Sequence, residues 1–247
     1  MAAANLTDDA FLGGRINLLQ PGAGFRSGLD AVMLAASVQA RPNQHVCDVG
    51  SGAGVALMCL AARVPNLHLA AVEIDPALAA LASQNHERNR LSGAIDVYEA
   101  DVLQRPRSIP RQAFHHVMSN PPFHDTGRGT IAPEKSKARA KALDTNGLLQ
   151  WLRFCRALVR PKGMVSVVLP PAQLATALEA LCADGRGAAI IPLWPKEGEA
   201  AKRLILRVTV GANKPLQLEQ GIVLHGHDGK PGAAAEQILR GGGALTT

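Results

Sequence analysis

The sequence predicts an α/β protein: a doubly wound, mostly parallel sheet of seven strands with an antiparallel pair at one edge. Three observations carry that reading. Short apolar runs alternate with helix-like segments from residue 45 to residue 210, the pattern of strands joined by helical crossovers. The first such unit, residues 45–63, is a strand, a glycine-rich turn and a helix, the arrangement of a nucleotide-edge site. Each of the first four strands then ends on an acid or an amide, where an open parallel sheet collects its ligand. The chain divides into an N-terminal extension over residues 1–40 (a hairpin and a helix), the main α/β domain over 41–225 and a tail over 226–247.

Residues 1–10 read as loose. Phe11 to Phe25 reads as two short extended pieces around a Pro21-Gly22 turn. Leu29 to Ala36 is an apolar helix with Ser27 as its N-cap, and Pro42-Asn43 ends it. His45 to Val49 is a strand that runs into Gly50-Ser51-Gly52-Ala53-Gly54, and a helix covers Val55 to Arg63. His68 to Ile74 is a second buried strand; Asp75 caps and Pro76 starts the next helix, which reaches Asn89. Ala94 to Ala100 is the third strand. Phe114 to Ser119 is the fourth, stopped by Pro121 and Pro122, since proline cannot donate to a ladder and restricts the residue before it. Trp151 to Val159 sits on a helix that ends at Pro161-Lys162-Gly163, and Met164 to Leu169 is the fifth strand. Pro171 to Ala183 is a helix closed by Asp184-Gly185; Ala188 to Leu193 and Leu204 to Val210 are the antiparallel pair. The tail is rich in Gly and Ala, and its Gly241-Gly242-Gly243 run reads as frayed.

Composition narrows the function classes. At 247 residues and 47% hydrophobic, the chain can bury a large core. Its longest apolar runs, such as Ala53 to Ala62, are too short to cross a bilayer. Asp8 and Asp9, with no basic stretch before them, predict no signal peptide. Cys47, Cys59, Cys155 and Cys182 lie far apart in apolar segments without a CxxC pair, which reads as reduced core thiols of a cytoplasmic protein and not as a zinc site. The histidines show no metal spacing, so no metal is expected. A formal net charge of +6 suits a polyanionic partner. Only 3% aromatic residues argue against a platform that stacks many bases.

The strand ends carry the chemistry. In the first turn Asp48 precedes Gly50, Gly52 and Gly54 in an Asp-x-Gly-x-Gly-x-Gly spacing, unlike the dinucleotide GxGxxG. The charge of Asp48 would repel a pyrophosphate and suits a cationic or hydroxyl-bearing ligand. Glu73 ends the second strand, about 25 residues past the turn, where an acid can take both hydroxyls of a ribose. Asp101 follows the third strand; taken singly, it and Asp75 are equally well explained as helix caps. Ser119-Asn120-Pro121-Pro122-Phe123 ends the fourth with one amide side chain, outward carbonyls and a ring, a set that can hold a flat group bearing an NH2. By itself Asn-Pro-Pro is equally a turn with a packed Phe. Four successive strand ends of this kind behind a glycine-rich turn favour a ligand site.

Asp48-Val-Gly-Ser-Gly-Ala-Gly54, Glu73, Asp101 and Asn120-Pro-Pro-Phe123 together resemble the class I S-adenosylmethionine-dependent methyltransferases that modify amino groups. Phe25 to Leu34 ahead of the glycine turn, and Ala138 to Asp144 after it, resemble the bacterial tRNA(valine) adenine-N6 methyltransferase family, over residues 11–225. The resemblance implies a Rossmann-like methyltransferase domain, S-adenosylmethionine as cofactor, and N6 of an adenine in RNA, foremost tRNA, as acceptor. It implies that Gly50, Ser51, Gly52 and Gly54 admit the methionine end of the cofactor while Asp48 orients its ammonium. Glu73 would take the ribose, Ile74 would lie on the cofactor's adenine, Asp101 would accept from the adenine amine and Val102 would offer a backbone amide. Phe25 to Asp30 would close over the methionine tail. Asn120, which would also line the cofactor site, and Pro121 would hold the target amino group beside the cofactor, and Phe123, where the family often has Tyr, would stack on the base. Arg128, Lys135, Lys137, Arg139 and Lys141 read either as a solvated loop or as a phosphate-contacting flap beside the pocket. The alternatives are a protein glutamine N5-methyltransferase, another rRNA or DNA amino-group methyltransferase, or an inactive RNA-binding relative; the basic charge and the intact motifs favour the RNA enzyme.

Overall fold

A computed structural model describes residues 6–23, 26–123, 143–226 and 228–245. The chain opens with an antiparallel hairpin of β1 (Leu6–Phe11) and β2 (Ile16–Pro21), turned by a 3-10 segment at Leu12–Gly14. Residues 6–10 are therefore not loose, and the hairpin turns one strand earlier than at Pro21-Gly22. The reason is polar: Asp9 takes an ion pair from Arg26 at 2.7 Å and a hydrogen bond from Gln20 at 2.8 Å, and Asp8 pairs with Arg88. Helix α1 (Leu29–Ser37) follows with Gly28 at its N-cap. Ser27 does not cap it, because its backbone N–H is held back toward β2 by Gln20 Oε1 at 2.9 Å.

The alternating units come next: β3 (His45–Val49), α2 (Val55–Arg63), β4 (His68–Glu73), α3 (Pro76–Arg88), β5 (Ile95–Glu99) and β6 (Phe114–Ser119). Asp75 caps α3 by accepting from Ala77 N at 2.9 Å, with Pro76 in its first turn. Helix α4 (Thr145–Leu158) starts well before Trp151, because Asp144 accepts from Gly147 N at 2.7 Å and caps it. Strand β7 (Val159–Leu169) takes in Pro161-Lys162-Gly163 as an irregularity and not as a helix end. The register against β6 shifts there, Lys162 adopts φ +62°, and Lys162 N reaches Val210 O at 3.0 Å. Then follow α5 (Leu174–Leu181), β8 (Ala188–Trp194) and β9 (Arg203–Thr209), with two short strands not expected from the sequence, β10 (Gln217–Leu218) and β11 (Ile222–Val223). The tail is ordered in its described part: α6 (Ala233–Leu239) buries Ala235 and Ile238, and Leu245 N donates to Ala36 O at 2.8 Å.

The main sheet runs β5-β4-β3-β6-β7-β9-β8, with β10 and β11 both against β8. Every neighbour pair is parallel except the two made by β9. Strand alternation splits the core in two. Val46, Leu69, Ala71, Met118 and Ile205 face the layer of α1, α2 and the tail helix; Cys47, Val49, Ala70, Val117 and Leu206 face α4 and α5. Both faces are covered, so the strands read as continuous apolar runs. The hairpin is fastened to this body by Asn85 of α3, which is fully buried. Its Oδ1 accepts from Leu19 N at 2.8 Å, and its Nδ2 donates to Leu19 O at 3.0 Å and to Ala53 O at 2.9 Å.

Candidate active site

From β3 the chain winds outward through β4 to β5, then returns to lay β6 on the other side of β3. Strand order reverses between β3 and β6, which makes their carboxyl ends the switch point of the sheet. Val49 pairs with Ser119 across that boundary, so the glycine turn and Asn120 leave the sheet side by side. Asp48, Glu73, Asp101 and Asn120 all stand at this edge, as their strand-end positions predicted.

The glycine turn is tied to β4. Gly50 N and Ser51 N both donate to Val72 O, at 2.8 and 3.1 Å, and Gly52 N donates to Glu73 Oε2 at 2.8 Å. The other oxygen of Glu73 accepts from Asp75 N at 2.9 Å. Glu73 thus fixes the turn with one lone pair on each oxygen and keeps the rest for a ligand. At Gly50 the backbone has φ +75° and a Cβ would lie 2.7 Å from the Trp151 ring; Gly52, at φ +56°, would carry its Cβ into open space. Gly54 is the N-cap of α2. Asp48 is only 2% exposed. Burial, aided by the like charge of Glu73, pushes its carboxyl up to about 8.

Ile74, just past β4, is 57% exposed, an apolar surface beside the acids. Asp101 caps the 3-10 segment Val102–Gln104 by accepting from Leu103 N at 2.9 Å, and the Val102 side chain is buried beneath it. Asn120 is half-buried, yet its Oδ1 is enclosed and has no hydrogen-bond partner among the described residues. An unsatisfied buried acceptor is costly in a folded protein unless a ligand completes it. Pro122 O accepts from Leu143 N at 3.2 Å, which anchors the loop to the approach of α4.

The contacts that Trp151 and Arg203 make at this edge were not read from the sequence, which offered Arg203 only as a possible extension of the basic surface. Ser119 Oγ donates to Val49 O at 2.7 Å and accepts from Trp151 Nε1 at 2.9 Å, so the indole that presses on Gly50 also fixes the base of the Asn120 loop. Trp151 is a packing residue, and what it packs is the glycine turn and the base of the Asn120 loop. Arg203 lies over the Phe123 ring and pairs with Asp30 of α1. Arg203 thus links Asp30 to the aromatic residue of the Asn120 loop. Phe25, Arg128, Lys135, Lys137, Arg139 and Lys141 lie outside the described residues. Among the described residues no group of three His, Cys, Asp or Glu side chains is arranged to hold a metal ion, and no helix is long and apolar enough to cross a membrane.

Residues 26–158 match the family described as the methyltransferase small domain. The tRNA1(Val) (adenine(37)-N6)-methyltransferase of Aeromonas hydrophila is 32% identical over 209 residues, covering 82% of this chain and 83% of the relative. Among solved structures, a predicted O-methyltransferase from Agrobacterium tumefaciens superposes with a TM-score of 0.72 at 24% identity, over 88% of this chain and 99% of that one. The 16S rRNA N2 G1207 methyltransferase of Thermus thermophilus, solved with AdoMet and guanosine, gives 0.56 at 19% identity over 83% of this chain and 50% of that one. At such identities these two structures speak for the fold alone, whereas the sequence matches speak for descent. This chain belongs to the methyltransferase small-domain family and, within it, to the tRNA1(Val) (adenine(37)-N6)-methyltransferases.

Proposed function

We propose that this protein moves the methyl group of S-adenosylmethionine to the exocyclic N6 of an adenine in tRNA, and that adenine 37 of a valine tRNA is its target. The observation that carries this reading is Asn120 Oδ1, a buried acceptor without a partner among the described residues, on the loop next to the glycine turn. An exocyclic amine supplies the hydrogen this oxygen lacks. The relatives' shared name supports the choice of acceptor.

The residues present fit the donor. Asp48 is buried beside the like charge of Glu73, a setting that a ligand ammonium would relieve. The open space over Gly52 admits the methionine end, Glu73 retains acceptor capacity for ribose hydroxyls, and the exposed face of Ile74 suits a purine. When bound, S-adenosylmethionine supplies an electrophilic methyl on a sulfonium.

Adenine N6 is a poor nucleophile because its lone pair is delocalised into the ring. Asn120 Oδ1 and the Pro121 carbonyl answer this by accepting from the two N6 hydrogens. Both bonds strengthen as positive charge builds on the nitrogen, so they stabilise the transition state more than the bound substrate. No side chain has to remove a proton beforehand; the proton leaves once the alkylated nitrogen has become acidic. The base must be unstacked to reach this loop, and Phe123 receives it, a stacking contact worth about 1–3 kcal/mol. Arg128, Lys135, Lys137, Arg139 and Lys141 are proposed as phosphate contacts beside the pocket. The four buried free thiols suit a reducing compartment, and cytoplasmic tRNA is the proposed setting.

Incubation of the purified protein with labelled S-adenosylmethionine and either unmodified tRNA or total protein, followed by nucleoside and amino-acid analysis, tests the reading. Label is expected in N6-methyladenosine from tRNA. Label in protein glutamine, with tRNA left unmodified, would overturn it.

A further inference from the structure

A phenyl ring has no polar atom with which to fix its own tilt, so the orientation of Phe123 must come from its surroundings. Arg203 supplies it. Its guanidinium carbon lies 4.5 Å from the centroid of the Phe123 ring, within cation–π range. The guanidinium is itself held: Nε donates to Asp30 Oδ2 at 3.1 Å, and Nη1 donates to the Lys202 carbonyl at 3.0 Å. Side-chain exposures of 15% for Arg203 and 27% for Asp30 keep this ion pair mostly out of water, where it resists screening. The topology explains how a residue so late in the chain gets there. Because β9 runs against its neighbours, its first residue, not its last, reaches the carboxyl edge of the sheet. Leu204 pairs with Leu169 at the end of β7, and β7 borders β6, which delivers Asn120.

We propose that Arg203 is a positioning residue of the acceptor pocket: clamped by Asp30, it covers one face of Phe123, so the target base stacks on the opposite face. This rests on the reading of Asn120 to Phe123 as the pocket for a planar amino group. With one face taken, the ring offers a single stacking surface, and Asn120 then selects one orientation of the base. The brace also ties α1, which follows the segment proposed to cover the cofactor, to the acceptor loop. Neutralised by Asp30 and laid on a ring, Arg203 works through Phe123 and not as a phosphate contact.

The test is a double-mutant cycle on Arg203→Gln and Phe123→Leu, with Arg203→Lys as the conservative variant. For methyl transfer to unmodified tRNA, Arg203→Gln is expected to lower kcat ~10-fold, since small misplacements of a reacting group are costly, with S-adenosylmethionine affinity unchanged by calorimetry. Arg203→Lys recovers most of that loss, and on the Phe123→Leu background Arg203→Gln adds less than about twofold. A readout independent of turnover is the 19F resonance of 4-fluorophenylalanine placed at position 123, which shifts in Arg203→Gln and returns toward its original position in Arg203→Lys. Losses that multiply across the cycle, a salt-dependent rise in KM at constant kcat, or an unmoved 19F resonance would each overturn the proposal. If Arg203→Gln melts out, Asp30→Asn releases the brace from its other end and carries the same expectations for kcat and for the 19F resonance. Wild-type transfer to an acceptor other than tRNA would instead refute the substrate reading, and the same cycle run on that acceptor still decides the role of Arg203.

Discussion

Gly50 and Gly52 stand two residues apart in one turn and answer to different constraints. A Cβ on Gly50 would lie 2.7 Å from the Trp151 ring, and that indole is itself fixed by its 2.9 Å hydrogen bond to Ser119. Gly50→Ala should therefore cost about 2–4 kcal/mol in urea unfolding, from backbone strain at positive φ together with overpacking. A Cβ on Gly52 meets nothing within 4 Å, so Gly52→Ala should cost about 1 kcal/mol of stability. Its methyl nonetheless enters the proposed cofactor space, and calorimetry should show S-adenosylmethionine affinity at least ~10-fold weaker. Asp48 gives a prediction in pH. A carboxyl raised from 3.8 to about 8 binds a proton in the folded state that the unfolded state gives up. Stability of the cofactor-free protein is thus lost as pH rises between those values, and Asp48→Asn should remove that part of the slope in thermal melts. A cofactor ammonium beside Asp48 reverses the preference. Binding near pH 6.5 should then release close to one proton in the wild type and none in Asp48→Asn, read by calorimetry in buffers of different ionisation enthalpy.

Elements differ in how they are fastened, and this decides what a sequence reader can see. Strands β3 and β6 and helix α2 have the bounds expected from their residues, because each is set locally: an apolar run stopped by glycine or proline. The four strand-end residues were legible for the same reason, since in a parallel sheet the end of a strand is also the ligand edge. Strand β1 was not legible, because Asp8 and Asp9 are satisfied by Arg88 and Arg26, partners a local pattern does not reveal. The start of α4 was hidden by Gly147, a poor helix former, although the Asp144 cap was a usable signal. The tail looked frayed from composition, but Ile238 and Leu245 are buried at 3% and 2% exposure. The contact of Arg203 with Phe123 and Asp30 was beyond reach, because it depends on the register of β9 against β7. The join between hairpin and body supplies a prediction at this scale. Asn85→Ala would strand buried backbone groups of Leu19 and Ala53 and should cost about 3 kcal/mol in urea unfolding, well above an exposed polar-to-Ala change.

At the scale of the whole molecule, one topological event does most of the arranging. The reversal of strand order between β3 and β6 sets the glycine turn beside the Asn120 loop, so a methyl donor and a planar acceptor can meet at one edge. The helical layers on either face leave that edge as the place where strand-end polar groups converge, and the net charge of +6 suits a polyanion arriving there. Asn120 is proposed as a clamp for the acceptor and not as a support for the cofactor. Single-turnover methyl transfer to unmodified tRNA, measured alongside S-adenosylmethionine calorimetry for wild type and Asn120→Ala, tests that division most directly. Asn120→Ala is expected to lose methyl transfer by at least ~100-fold, the scale of removing one transition-state hydrogen bond, while cofactor affinity stays within a few-fold. Cofactor affinity that falls in step with turnover would contradict it.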